Sequence, residues 1–176
     1  MDSADRVQRT DDKLRSVELR PYEYRDPGQV LTAVLAGGSL SEGDMLLALV
    51  HDPSGDQQVL RTARLDSEHS RCLRQHEDPD ILAGYLRRLA VPMRQPGEPP
   101  RHSVMTISAR RGLAVFGPAE AACMSTWRQC GHLVDAFVGD LLLVTEHGWT
   151  DFMSGWGGRE PWLQLPESRS LLSRND

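Results

Sequence analysis

Two apolar runs constrain this chain more than anything else in it. "DMLLALVHD" (44–52) and "LLLVT" (141–145) are continuous, of strand length, and bounded by polar residues. Runs of this kind read as strands buried inside a sheet, since a strand with one wet face would alternate. The rest of the chain must supply the elements that bury them.

Helix signals lie between the strand signals. In "RDPGQVLTAVLAGG" Asp26 stands as N-cap and Pro27 at the first helical position. Val30, Leu31, Val34 and Leu35 recur at helical spacing until Gly37 stops the run. "PSGD" (53–56) is turn chemistry, and "QQVLRTARL" returns as the second arm of a hairpin. "EDPDILAGYLRRLAV" (77–91) repeats the start grammar with Asp78 and Pro79, and Ile81, Leu82, Tyr85, Leu86 and Leu89 make one stripe. The proline-rich "PMRQPGEPP" (92–100) is a surface loop. "HSVMTISAR" (102–110) reads as a strand, and "RGLAVF" (111–116) as its continuation or return. "GPAEAACMSTWRQCGHL" opens on Pro118 and closes on Gly131 as a helix, with Glu120 in its first turn. Leu141–Thr145 forms the next strand, "EHG" a tight turn, and "WTDFM" the strand that pairs back.

These readings predict a single α/β (α+β) domain over 17–165, with a mixed, mostly antiparallel sheet of five to seven strands and two or three helices. Residues 1–16 and 166–176 are polar and aperiodic and read as flexible arms. With 39% hydrophobic and 26% charged residues the composition is globular. No apolar run reaches the ~18 residues of a membrane span, and no leader peptide is visible. The expected location is the cytoplasm, with Cys72, Cys123 and Cys130 as thiols. Lys13 is the one lysine among twenty basic residues, which suggests a GC-rich bacterial coding sequence.

A net charge of -5 disfavours nucleic acid, whose affinity rests on basic surface; Arg87-Arg88 and Arg110-Arg111 are short pairs. Glu146, His147 and Asp151 gather polar chemistry at the end of a strand. Strand neighbours point to opposite faces, so a hairpin tip accounts for them equally well. His102 opens one strand and His147 closes another. If those strands were antiparallel neighbours, His102, Glu146, His147 and Asp151 could form an acid–base or metal-dependent hydrolase site. Cys123 and Cys130 lie two helical turns apart, about 10 Å, too far to share one zinc ion. His69, Cys72 and His76 converge only on a helix and lack a fourth ligand. There is no nucleophile motif, and "AGGSLSEGD" follows a helix where a phosphate loop would open one. The expectation is therefore no metal and no cofactor. Trp149, Phe152, Trp156 and Trp162 cluster in a glycine-rich stretch, where they either cover the core or anchor a partner.

The order of elements over 45–153 resembles the JAB/MPN fold, and more narrowly its RadC-like members. The matching pieces are "MLLALVHDPSGDQQVLRTARL", "DPDILAGYLRRLA", "HSVMTISARRG", "GPAEAACMSTWRQCGHL" and "GDLLLVTEHGWTDFM". Active members carry His-x-His-Pro where this chain has "ISARRG" (107–112), so none of the family's metal ligands transfers. The resemblance implies a relative without the family's metal, of the kind that serves as a scaffold. The function expected is a non-catalytic protein-binding or regulatory module that joins another protein or itself, with Trp149, Phe152, Trp156 and Trp162 as contacts. The hydrolase is the alternative.

Overall fold

The computed structural model describes residues 19–66, 70, 101–130 and 136–163. Its elements run α1 (Pro27–Ala36), β1 (Met45–His51), β2 (Gln58–Arg64), β3 (His102–Ala109), α2 (Pro118–Cys130), β4 (Phe137–Thr145), β5 (Gly148–Asp151) and β6 (Gly157–Gly158). They form one six-stranded sheet in the order β2-β1-β3-β4-β5-β6. All neighbouring pairs are antiparallel except β3 and β4, which run parallel and are joined through α2. This is the expected α+β class with a mixed, mostly antiparallel sheet. The helix expected over 77–91, both arms, and His69, Cys72, His76, Arg87, Arg88 and His132 lie outside the described residues.

The two apolar runs are interior strands, as their lack of alternation requires. β1 is buried along its length up to His51, and β3 throughout. Side chains alternate between faces, so each face needs its own cover. Leu46, Ala48 and Val50 of β1, Met105 and Ile107 of β3, and Leu142 and Val144 of β4 meet α1 through Val30, Leu31 and Val34. Met45, Leu47, Leu49, Val104 and Leu141 meet α2 through Cys123, Met124 and Trp127 on the other face. The sheet is thus the middle layer of three.

α1 begins where the sequence places it. The Asp26 carboxylate accepts from the Gln29 amide at 3.1 Å, and Pro27 opens the first turn. The β1–β2 turn closes with Asp52 accepting from the Gly55 and Gln57 amides.

Two local expectations differ from the structure. "RGLAVF" is a loop, because Arg110 supplies what a partner strand would have offered. Its guanidinium donates to the carbonyls of Arg111, Leu113 and Val115 and pairs with buried Glu120 at 2.9 Å. Glu120 also accepts from the Gly117 amide at 2.7 Å, which fixes the start of α2. Burial raises the Glu120 carboxyl, but Arg110 and Gly117 outweigh it and leave the group below its usual range. The second difference is that β4 starts at Phe137 and not at Leu141, with a register shift opposite Val104–Thr106. Gly139 permits it, since a Cβ there would collide with the Ser103 and Tyr24 hydroxyls.

Leu47 is fully buried in an interior strand, and Arg61 is exposed on edge strand β2. Leu47→Ala is expected to lower unfolding free energy in urea by about 2–5 kcal/mol, and Arg61→Ala to change it by less than about 0.5 kcal/mol.

Candidate functional site

Glu146 and His147 form the tip of the β4–β5 hairpin. Thr145 and Gly148 are the last paired residues, and the Thr145 hydroxyl accepts from the His147 amide and donates to the Gly148 carbonyl. Gly148 has φ +122°, and the Gly158 carbonyl occupies the place of a Cβ. A side chain fits there neither conformationally nor sterically. The Glu146 carboxylate is engaged as well. Both of its oxygens accept from the Gly112 amide, at 3.2 and 3.1 Å, tying the 110–117 loop to the hairpin. Its own amide and that of Gly112 hold its carboxyl below the usual carboxylate range. The exposed His147 imidazole stands 3.9 Å from it.

His102 does not join them. β3 and β4 are parallel, so the start of β3 and the end of β4 lie at opposite ends of the sheet. Seven steps along β3 at about 3.3 Å each place His102 more than about 20 Å from the hairpin tip. The sequence-level juxtaposition needed an antiparallel pair. Asp151 is also four positions beyond His147, opposite Leu142.

Asp151 instead meets Asp140 beneath the segment leading into α1. Both are buried, at 1% and 6% exposure. One Asp140 oxygen accepts from the amides of Leu141 (2.8 Å) and Met153 (3.0 Å). One Asp151 oxygen accepts from the Ser154 amide and hydroxyl. The other, Oδ1, is buried without a partner, as are the hydroxyls of Ser103 and Tyr24 beside Gly139. Two adjacent carboxylates in a dry site cannot both ionise, and they retain one proton between them. Burial first, then the adjacent Asp151 carboxyl, push Asp140 up to about 9. Burial also pushes the Tyr24 phenol far up, with Asp140 and Asp151 adding to it. The two hydroxyls face each other without reaching hydrogen-bond geometry, so Ser103 offsets this only in part. The pair is closed to solvent, and its contacts hold the 151–154 turn.

On the α2 face, where β1 ends and β3 begins, His51 and His102 stand opposite each other. Their ring centres are 4.9 Å apart with planes inclined at 45°. Burial, then the neighbouring His51, push the His102 imidazole down.

The aromatic segment divides. Trp149 is buried under α1, and its indole donates to the Glu160 carbonyl at 2.9 Å. Phe152 packs edge-on against Phe116 at the α2 face. Trp156 and Trp162 remain 54% and 48% exposed, with Met153 at 56%. Arg110 and Arg111 are ion-paired with Glu120 and Glu42. Cys123 is buried in the core. Among the described residues, no group of three His, Cys, Asp or Glu converges on a metal position, and no helix is long and apolar enough to cross a membrane.

Sequence reasoning missed His51 and Asp140 as partners of residues it had singled out. Asp140 carries a signal, a carboxylate set inside "FVGDLLLV". His51 carries none, because its pairing with His102 depends on the register of strands 50 residues apart. Comparison with protein-family models, curated proteins and solved structures gave no match to this chain.

The shared proton sets a pH dependence. Native Asp140 keeps a proton that an unfolded aspartate releases near pH ~4, so this group's contribution is complete below that pH. It is lost as pH rises toward about 9. Asp140→Asn supplies a permanent neutral donor. Urea titrations are expected to give similar stability for variant and wild type near pH ~4, and a more stable variant near pH ~8.

Proposed function

We propose that this protein is a non-catalytic binding module that associates with another protein through the segment following β5. The observation that carries this reading is the exposure of Trp156 and Trp162 on a backbone that is fastened along its length. The Asp151 amide donates to the Trp156 carbonyl at 2.7 Å, and the Trp156 amide to the Ser154 hydroxyl. Gly157 and Gly158 pair with Thr150 and Trp149. The Leu163 amide donates to the Thr145 carbonyl at 2.9 Å. Exposed tryptophans give large contact energy, and a held backbone loses little entropy when a partner orders it. Trp149 packs under α1 and Phe152 against Phe116 on the α2 face, which leaves Trp156 and Trp162 as the exposed members of the cluster. A scaffold role is also what the resemblance to JAB/MPN relatives lacking the metal motif implies.

The test is capture by the tagged full chain from its native host, compared with a Trp156→Ser, Trp162→Ser double variant. The variant is expected to keep the wild-type circular dichroism spectrum and urea midpoint, because both side chains are exposed. A stoichiometric partner retained by wild type should disappear. Retention of that partner by the folded variant rejects the surface, and unfolding of the variant assigns the two tryptophans to the core.

A further inference from the structure

We infer that His51 and His102 form an open two-imidazole site for a borderline transition-metal cation, of which Zn²⁺, Cu²⁺ and Ni²⁺ are the fitting class. His51 ends β1 and His102 begins β3, directly opposite in the antiparallel register. Residues so placed share a face, with Cβ atoms about 4.5–5.5 Å apart. The observed ring separation is 4.9 Å. Two imidazoles on one ion at metal–nitrogen lengths of about 2.0–2.1 Å have ring centres roughly 5 Å apart at a near-tetrahedral angle. The pair already has that spacing. The 45° inclination belongs neither to a parallel stack nor to an edge-to-face contact.

A second observation is independent of the spacing. His51 Nδ1 is buried and has no hydrogen-bond partner. An orphaned buried nitrogen carries a desolvation cost that a metal bond or a water would remove. The Asp52 carboxylate accepts from the Asp56 amide within its own turn. Among the described residues no third His, Cys, Asp or Glu completes the set. Water or an incoming ligand therefore fills the remaining positions. Imidazole nitrogen selects Zn²⁺, Cu²⁺ and Ni²⁺ over Mg²⁺ and Ca²⁺, which take oxygen. His51 is partly exposed at the end of β1.

The experiment is calorimetric titration of the untagged full chain with Zn²⁺ after chelator treatment. One ion per chain is expected at pH ~7.5, with binding lost toward pH ~5.5 as the imidazoles take protons. His51→Gln and His102→Gln should each abolish it, and His147→Gln should leave it intact. Imidazole ¹H–¹⁵N spectra of the wild type decide the matter where a variant fails to fold. Joint perturbation of the His51 and His102 resonances at the first equivalent supports the site. Undiminished binding in either folded variant overturns it, as does first perturbation of His69, His76, His132 or His147, or absence of binding by the wild type.

Discussion

β1, β3 and β4 carry apolar side chains on both faces, and the architecture follows from the need to cover both. An isolated sheet of such strands would leave Leu46, Ala48 and Val50 in water on one side or Met45, Leu47 and Leu49 on the other. α1 and α2 remove that exposure, one per face. β2 shows the contrast. It lies at the edge of the sheet, is largely exposed, and is where "QVLRTAR" admits arginine and threonine. Arginine stands in β2 and in none of β1, β3 or β4.

The parallel pairing of β3 and β4 then decides which side chains can meet. Passing through α2 before pairing puts both strand starts at one end of the sheet and both strand ends at the other. His102 and Ser103 come to lie at the first end, with Asp140 midway along the ladder. Arg110 and Glu146 come to the second, where their charges are absorbed in loop contacts, and His147 lies exposed beside them. One crossover thus separates residues that the linear sequence made natural candidates for a shared site. It leaves each group with different neighbours.

Much of the fold was legible because the signals are local. The Asp26 cap, the Pro27 and Pro118 starts, the turn after His51 and the hairpin at Glu146–Gly148 are all set within a few residues. The misread pieces were governed by contacts distant in sequence. "RGLAVF" has strand composition, yet one guanidinium supplied its carbonyl partners. β4 extended back through Gly139 because Tyr24 and Ser103 approach its backbone. The site residues divide in the same way. Trp156 and Trp162 were visible as a cluster, but Trp149 could be separated from them only by knowing that α1 lies over it. His51–His102 and Asp140–Asp151 are both contacts between strands, invisible to any reading of spacing along the chain.

The buried carboxylates and the exposed tryptophans belong to one mechanical unit. Asp140 and Asp151 together accept four hydrogen bonds, and all but the one from Leu141 come from residues 153 and 154. Ser154 in turn accepts from the Trp156 amide. A pair of hydrophobic residues in place of the aspartates would avoid the desolvation of a buried charge, but it would leave the Met153 and Ser154 amides without acceptors. The polar pair therefore costs stability in the core while satisfying the amides of a turn that has no ladder partner of its own. The result is an aromatic segment whose backbone is fixed from beneath, so that Trp156 is presented without depending on its own burial.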